Sequence, residues 1–251
     1  MTTGWRSAVC VNVRGETATA RTVRLRVDDL GAVLPGQHVD VRLTADDGYQ
    51  AVRSYSLSAT PAGGPASAPL AADEVEITVE ELPDGEVSPY LVEGLAIGDT
   101  LEVRGPIGGW FVWRDTDTEA VQLIGGGSGV APLMAILRAR VASASVAPMR
   151  LLYSVRSPDA VYFRDELDHV APTAGIDVDV VYTRAAPEGW PRIPGRLVAA
   201  DVENLVQDAR VGSIFICGPN AFVASVTDLL IAAGHDPASI RAERFGGAEP
   251  A

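Results

Sequence analysis

The residues that decide the fold are Val121-Gln-Leu-Ile-Gly-Gly-Gly-Ser-Gly-Val-Ala-Pro-Leu-Met-Ala-Ile-Leu137. Four residues suited to a short buried strand lead into a run of glycines, and an apolar segment long enough for a helix follows. The first N–H groups of such a helix lack an intrahelical partner, and the helix dipole favours negative charge there. The stretch therefore predicts a turn that binds a phosphate group. A tight strand–helix connection without a ligand is the alternative interpretation.

The glycine turn departs in one respect from the usual dinucleotide-binding fingerprint. Gly127 and Gly129 keep the first two glycine positions of that pattern, but Pro132 stands where a third glycine would be. Glycine lets a pyrophosphate approach the backbone closely. Proline suits the first helical turn because its missing N–H is not needed there.

The charge and the cysteine content exclude several classes of protein. The net charge is −13, all 20 basic residues are arginine, and no lysine occurs. A nucleic-acid partner is therefore not expected, and a Walker-type phosphate grip or a Schiff base, which both need lysine, is excluded. Cys10 and Cys217 are too few for a zinc site or a cysteine-bound iron–sulfur cluster, so no metal is predicted.

No membrane segment or secretion signal is expected. No apolar run approaches the length of a membrane span, and the first residues contain no signal-peptide core. These features predict a cytoplasmic protein without a membrane partner. The sequence leaves the oligomeric state open, with a monomer among the options.

The pattern of apolar residues changes along the chain. Apolar and polar residues alternate in Val23–Val27, Val39–Leu43 and Val75–Val79, which is typical of half-buried antiparallel strands and favours a small barrel. Later segments alternate between strand and helix patterns, which indicates a parallel sheet. The polar stretch 114–120 marks the boundary between the two parts.

The predicted elements after the glycine turn can be stated with their bounds. The strands are Met149–Val155, Ile176–Thr183, Ser213–Cys217 and Ile240–Phe245, and the helices are Arg164–Val170, Asp201–Gln207 and Ala221–Ala233. The predicted domains are residues 1–116 and 117–251. In the first domain, the Pro-, Gly- and Ala-rich segment Pro61–Ala72 is interpreted as a flexible surface loop without function.

Five short motifs follow one another along the chain. They are Arg53-Ser54-Tyr55-Ser56, Gly85-Glu86-Val87-Ser88, Gly105-Pro106, Gly126-Gly127-Ser128-Gly129-Val130-Ala131-Pro132 and Cys217-Gly218-Pro219. Each motif alone is weak, but the five in this order and spacing resemble the ferredoxin–NADP reductase superfamily. The resemblance covers the chain from about Trp5 to Phe245. It implies an antiparallel six-stranded flavin-binding β-barrel followed by a parallel-sheet α/β domain that binds NAD(P).

The resemblance gives the barrel motifs a role in flavin binding. It implies that Arg53 holds a flavin phosphate, that Tyr55 lies along the isoalloxazine ring or the ribityl chain, and that Ser56 bonds the flavin N5 atom. Two phosphate-binding elements favour FAD over FMN. FMN is the alternative, because some relatives of the dioxygenase-reductase type use it. The barrel residues implied for the cofactor are Arg53, Ser54, Tyr55, Ser56, Val79, Gly85, Val87 and Ser88.

The same resemblance assigns the nicotinamide dinucleotide to the α/β domain. It implies that the thiol of Cys217 stands beside the reacting carbon, although a small buried apolar role is the alternative. Glu243 and Phe245 match a Glu-x-Phe ending in which the ring lies against the flavin and the carboxylate organises the transfer site. Ser56, Cys217 and Glu243 form the implied catalytic set. The further implied contacts are Gly127, Ser128, Gly129, Pro132, Gly218, Pro219 and Phe245.

The sequence also predicts which nicotinamide is used. NAD specificity usually depends on an acidic residue at the end of the second strand, but Arg150–Val155 ends without a carboxylate. Arg156 follows that strand, Arg184 follows the next strand, and Arg196 comes after a glycine. These arginines resemble those that bind the 2′-phosphate in bacterial NADP-type members. NADPH is therefore expected, and NADH is the alternative because NADH-using members also carry some of these arginines.

Together these features predict an FAD-dependent NAD(P)H oxidoreductase. A nicotinamide delivers two electrons as hydride, iron–sulfur and haem partners take one at a time, and a flavin bridges the two. No iron–sulfur domain is expected in this chain, so single electrons should pass to a separate acceptor, a ferredoxin-like protein. The alternatives are an NADH-dependent oxygenase-type reductase, a reductase of oxygen, a quinone or free flavin, and a non-enzymatic nucleotide-binding subunit of a larger assembly.

Overall fold

The chain folds into two compact units. The computed structural model describes residues 4–65, 67–170, 175–203 and 212–246. The first unit holds the residues up to Asp115 together with Met134–Ala144, and the second holds Thr116–Leu133 and the residues from Ser145 onward. Because these units are not continuous in sequence, the division into residues 1–116 and 117–251 stays a prediction.

The first unit is an antiparallel barrel. Its strands are β1 (Arg6–Thr17), β2 (Ala20–Val27), β3 (His38–Thr44), β4 (Gln50–Ala59), β5 (Glu74–Glu80) and β6 (Thr100–Ile107). They close in the order β1-β2-β5-β4-β3-β6, which confirms the predicted six-stranded barrel. Alternate residues such as Val23, Leu25 and Val27 fill its interior, as the period of two requires. A single π-helical turn, Tyr90–Gly94, follows Pro89.

The second unit contains a parallel sheet. Its described strands are β7 (Val121–Gly126), β8 (Met149–Val155), β9 (Ile176–Tyr182), β10 (Ser213–Pro219) and β11 (Ile240–Phe245). The order β11-β10-β7-β8-β9 confirms the predicted parallel α/β fold. The accompanying helices are α1 (Val130–Ala142), α2 (Arg164–Val170), α3 (Ala199–Glu203) and α4 (Asn220–Ala232). Of the helix predicted at Asp201–Gln207, residues 204–207 lie outside the described residues. None of the described helices is long and apolar enough to span a membrane.

Helix α1 is buried on all sides. Every residue from Val130 to Arg140 is buried, so the helix has no solvent-facing polar stripe. The first four residues of α1 belong to the second unit, and its residues from Met134 onward belong to the first unit, which contains the barrel. Two arginines, Arg138 and Arg140, are buried with it at 3% and 7% exposure. Such arginines need polar partners, because an unpaired buried charge is strongly unfavourable.

Arg138 finds these partners in an ionic cluster on the barrel strands. Its Nη1 atom donates to the carbonyl oxygen of Ser58 at 2.8 Å and lies 3.3 Å from Glu76 Oε2. The second carboxylate oxygen of Glu76 accepts hydrogen bonds from Arg24 Nε at 3.0 Å and Nη2 at 2.8 Å. The side chains of Arg138 and Glu76 are each 2% exposed. One buried carboxylate is therefore shared between two buried guanidinium groups.

The loop Pro61–Ala72 takes part in the same packing. The carbonyl oxygen of Ala68 accepts a hydrogen bond from Arg24 Nη2 at 2.7 Å. Gly63 lies so close to α1 that a Cβ atom there would stand 2.4 Å from the helix backbone. The described part of the loop therefore has a structural role, which its composition did not indicate.

We expect the substitution Arg138→Met to lower the free energy of unfolding by about 3 kcal/mol, because it breaks a buried ion pair and leaves Glu76 with one partner. The matched control is Arg26→Met, since Arg26 pairs with Glu74 but is 52% exposed. That substitution should cost less than about 1 kcal/mol. Urea unfolding followed by tryptophan fluorescence measures both. An equal loss in the two variants would show that burial does not decide the strength of these pairs.

Candidate functional site

The Arg-x-Tyr-Ser motif lies on β4, which pairs with β3 so that Ser54 faces Asp40 and Ser56 faces His38. Ser54 Oγ donates to Asp40 Oδ1 at 2.6 Å, and Arg104 Nη2 donates to Asp40 Oδ2 at 2.6 Å. Burial raises the pKa of Asp40, but the hydrogen bonds from Ser54 and Arg104 outweigh it and bring that pKa below its usual value. The hydroxyl of Ser54 is therefore engaged within the barrel. The hydroxyl of Ser56 has no hydrogen-bond partner among the described residues.

The side chain of Arg53 reaches the second barrel motif. Its Nη2 atom donates to Glu86 Oε2 at 2.7 Å, and its Nη1 atom donates to the carbonyl oxygen of Val52 at 2.8 Å. The hydroxyl of Tyr49 donates to the other carboxylate oxygen of Glu86. The hydrogen bonds from Tyr49 and Arg53 lower the pKa of Glu86, so this group is an anion at neutral pH. The structure thus brings the two predicted flavin motifs together, with a carboxylate held at the guanidinium group.

The Gly85–Ser88 segment forms a tight turn after β5. The N–H group of Gly85 donates to the carbonyl oxygen of Leu82 at 2.8 Å, and Ser88 Oγ accepts from the N–H group of Leu82 at 3.0 Å. A Cβ atom at residue 85 would lie 2.7 Å from Ser88 Oγ and 2.9 Å from Leu82 O, so the turn requires glycine. Since Ser88 accepts in this bond, its hydroxyl hydrogen remains available for another acceptor.

Three other predicted flavin residues are partly or wholly buried. Burial raises the pKa of Tyr55 to about 12, so its phenol is a hydrogen-bond donor at neutral pH. The side chains of Val79 and Val87 are 1% and 0% exposed and belong to the barrel core. Only the backbone atoms of these two valines are therefore available to a cofactor. Tyr55 is half-buried against the same core.

The glycine turn of the second unit is built on a close backbone approach. Gly127–Gly129 forms one 3-10 turn between β7 and α1, with Ser128 half-buried in the turn and Pro132 in the first turn of α1. A Cβ atom at residue 129 would lie 2.2 Å from the carbonyl oxygen of Cys217. Glycine at this position therefore lets the phosphate-type turn and the end of β10 come together.

An aromatic ring packs on two more glycines of this region. Cβ atoms at Gly126 and Gly218 would lie 2.7 Å and 2.6 Å from Cδ1 of Phe222. Phe222 is the third residue of α4, which begins at Asn220 directly after Pro219. The Gly-Gly-Gly and Cys-Gly-Pro motifs are thus held against one side chain.

The side chain of Cys217 is buried and uncharged. Its side chain is 2% exposed, and it lies opposite Glu243 in the β10–β11 pairing, while Pro219 lies opposite Phe245. Burial, and then the negative charge of Glu243, raise the pKa of the Cys217 thiol, so it stays protonated at neutral pH. The structure therefore brings together Cys217 and Glu243, two residues of the predicted catalytic set. Phe245 is 36% exposed at the end of β11.

The three arginines predicted for a 2′-phosphate gather near the carboxyl ends of β8 and β9. The N–H group of Arg184 donates to the carbonyl oxygen of Arg156 at 2.9 Å, which continues the pairing of the two strands. The N–H group of Gly195 donates to Tyr182 O at 3.0 Å and so brings Arg196 to the end of β9. All three side chains are exposed. Within the part of the chain that the structure describes, no carboxylate forms an ion pair with them.

An ion pair holds the loop that carries Arg196. The guanidinium group of Arg192 donates two hydrogen bonds to Asp201, of which the Nη2–Oδ2 bond is 2.8 Å long. Arg192 Nη2 also lies 3.3 Å from the carbonyl oxygen of Arg196, and Asp201 Oδ2 accepts from the N–H group of Val198 at 2.7 Å. The backbone is therefore anchored on both sides of Arg196.

Sequence reasoning missed four residues of these sites. Glu86 lies inside a quoted motif, and its position between Gly85 and Ser88 was a usable signal. Tyr49, Phe222 and Asp201 act through contacts across the fold, and no local pattern marks them.

Proteins with similar sequences belong to oxygenase systems. The chain is 34% identical over 250 residues to the glycine betaine monooxygenase reductase subunit of Chromohalobacter salexigens, which covers 98% of this chain and 65% of the relative. It is 30% identical over 241 residues to the ferredoxin reductase component of 3-ketosteroid-9-alpha-monooxygenase of Mycolicibacterium smegmatis, covering 93% and 64%. The chain therefore spans less than two thirds of the length of either reductase.

A solved structure and two family models agree with this similarity. The FAD/NAD-binding domain of nitric oxide dioxygenase from Vibrio cholerae matches with a TM-score of 0.80 and 27% identity, covering 96% of this chain and 99% of that one. Residues 16–112 match the oxidoreductase FAD-binding domain, and residues 123–228 match the oxidoreductase NAD-binding domain. The fold, the glycine turn and the matches define a chain with an FAD-binding domain and an NAD-binding domain of the oxidoreductase type. The chain belongs to the ferredoxin–NADP reductase superfamily.

We expect the substitution Gly129→Ala to weaken the binding of NADP⁺ more than about tenfold, because an added Cβ would force the turn away from Cys217 and misplace its donors. Isothermal calorimetry with NADP⁺ measures the effect. The matched control is Gly15→Ala on β1, where a Cβ meets nothing within 4 Å. Unchanged NADP⁺ affinity in Gly129→Ala would argue against this turn as the dinucleotide site.

Proposed function

We propose that the chain is an FAD-dependent NAD(P)H oxidoreductase that passes single electrons to a separate acceptor. Two observations, one in each unit, carry the proposal. The FAD-binding unit has a guanidinium group that already holds an anion, and the NAD-binding unit has a glycine turn in backbone contact with the Cys-Gly-Pro motif. When bound, the flavin supplies the conversion between a two-electron hydride donor and one-electron acceptors.

The donor set of the barrel fits a flavin with a phosphate chain. Arg53 offers a forked donor that suits phosphate as well as carboxylate, and Ser88 keeps a hydroxyl hydrogen for a second oxygen. Tyr55 donates from a phenol that stays protonated. In this proposal Ser56, whose hydroxyl has no partner in the described chain, donates a hydrogen bond to the flavin N5 atom.

The donor set of the second unit fits a nicotinamide dinucleotide. The N–H groups of the Gly127–Gly129 turn and of the first residues of α1 suit a pyrophosphate. We propose that the neutral thiol of Cys217 lies against the nicotinamide, since an uncharged small side chain leaves room without adding charge. Glu243 would orient the same site through its position beside Cys217.

We further propose that the preferred nicotinamide is NADPH. Arg156, Arg184 and Arg196 offer three guanidinium groups that are not paired with carboxylates of the described chain, at one edge of the parallel sheet. A 2′-phosphate could accept charge-assisted hydrogen bonds from such a set, whereas a 2′-hydroxyl would leave most of these donors unused. The Arg192–Asp201 pair supports this reading because it fixes the backbone around Arg196.

The acceptor is proposed to be a ferredoxin-like protein. This is supported by the similarity to a monooxygenase component that is itself called a ferredoxin reductase component. The second candidate is a reductase of small acceptors such as oxygen, a quinone or free flavin. The effect of an added ferredoxin on cytochrome c reduction distinguishes the two candidates. The cytoplasmic location predicted from the sequence stays a prediction.

A purified protein should show flavin absorption that bleaches when NADPH is added. It should reduce ferricyanide quickly but cytochrome c only slowly, until a ferredoxin is supplied to carry single electrons. Rapid cytochrome c reduction by the protein alone, with superoxide dismutase present, would contradict the proposed acceptor. A colourless protein would contradict the proposed enzyme.

The substitutions Arg156→Ala and Arg184→Ala should each raise the KM for NADPH by about tenfold or more, because each removes a charge-assisted contact to the 2′-phosphate. The KM for NADH should change little. Steady-state ferricyanide reduction with NADPH and with NADH measures the two KM values. Arg150→Ala is the matched control, since Arg150 lies at the opposite end of β8 and pairs with Asp179 at 2.7 Å. Equal losses with NADPH and NADH would defeat the assignment.

A further inference from the structure

Glu86 is the anion that Arg53 holds in this structure. Arg53 Nη2 lies 2.7 Å from Glu86 Oε2, and the hydroxyl of Tyr49 bonds the other carboxylate oxygen. These two hydrogen bonds lower the pKa of Glu86, which is therefore ionised at neutral pH. The positive charge of the proposed phosphate grip is thus already balanced by one negative charge.

A phosphate that binds Arg53 has to share or displace this carboxylate. The backbone of Glu86 stays close in either case, because its neighbours Gly85 and Ser88 fix the turn through bonds of 2.8 Å and 3.0 Å to Leu82. The repulsion between a fixed carboxylate and a phosphate increases with the charge of the phosphate. The terminal phosphate of FMN is a monoester, whose second pKa near 6 gives it almost two negative charges at pH 7.5. Each phosphate of FAD has one ester bond and one bond to the bridging oxygen of the pyrophosphate, and it therefore carries one negative charge.

A cavity of about 510 Å³ lies beside Glu86. Its lining includes Tyr49, Tyr90, Arg42 and Glu102. Arg42 Nη2 lies 2.6 Å from Glu102 Oε1, so the charges of these two groups largely cancel. Although Arg53 does not line this cavity, the cavity offers space beside Glu86 for ligand atoms that continue beyond a phosphate, and a pyrophosphate has such atoms whereas the terminal phosphate of FMN has none.

We propose that Glu86 is a specificity-determining residue that makes the barrel select FAD against FMN, by holding a negative charge beside the phosphate grip. The inference rests on the proposed binding of the flavin phosphate at Arg53. Glu86 would thereby disfavour FMN, in addition to the residues that bind FAD. The expected discrimination depends on phosphate charge and not on the isoalloxazine ring.

The test is a titration of flavin-free protein with FAD, FMN and riboflavin, followed by quenching of flavin fluorescence. In Glu86→Gln, the affinity for FMN should increase about tenfold and that for FAD about threefold, because the removed repulsion scales with phosphate charge. Riboflavin has no phosphate, so its affinity should not change. Glu86→Asp keeps the charge and is the matched control, in which the preference for FAD should persist.

A pH series gives an independent readout. In the wild type, the ratio of the FMN to the FAD dissociation constant should decrease from pH 8 to pH 5, because the FMN phosphate gains a proton in this range. Glu86→Gln should not show this decrease. Arginine side chains carry their positive charge throughout this pH range. The pKa values of Tyr49 and Tyr90 are raised, and the pKa of Glu102 is lowered.

Three results would overturn the inference. Equal changes for FAD, FMN and riboflavin in Glu86→Gln would mean that Glu86 only supports the turn. Weaker FAD binding in this variant would mean that the carboxylate contributes to FAD recognition. A wild-type protein that binds no flavin at all would overturn the proposed function together with this inference, whereas the first two results leave the proposed function standing.

Discussion

The interaction on which the barrel unit depends is the buried carboxylate of Glu76 between the guanidinium groups of Arg24 and Arg138. Three charged groups excluded from water are costly unless each is paired, so the loss of any one of them would leave a buried charge without its partner. Arg24 lies on β2, Glu76 on β5 and Arg138 on α1. The cluster thereby fixes the later residues of α1, the same helix whose first residues carry the glycine turn.

The two cofactor regions use different chemistry for anions. In the barrel, Arg53 provides a flexible, half-exposed guanidinium group that already holds Glu86. In the second unit, the donors that we propose are backbone N–H groups of a turn with little room to move, because the backbone at Gly129 closely approaches the carbonyl oxygen of Cys217. A rigid backbone site favours one geometry, whereas a side-chain site depends on the charges around it. This difference is the reason that a neighbouring carboxylate matters for the flavin and less for the pyrophosphate.

Local sequence patterns were sufficient for the fold class and for the elements that carry the predicted site residues. Alternation in Val23–Val27 predicted half-buried strands because side chains of a strand point to opposite faces. The strand, glycine run and apolar helix at Val121–Leu137 predicted the phosphate-type turn, and the motif order led to the family. Arg156 and Arg184 were predicted because each follows a strand, and the structure places them together because neighbouring parallel strands end at the same edge of the sheet.

The amino-acid sequence by itself thus determined which elements form and which residue types stand at their ends. The tertiary structure alone decided which distant side chains meet: Tyr49 and Arg53 at Glu86, Arg24 and Arg138 at Glu76, and Phe222 on Gly126 and Gly218. The periodicity of a strand or helix fixes the direction of each side chain only relative to its own element. The register and closure of the barrel, set by burial summed over many residues, determine which side chain lies opposite, and no local pattern contains that information.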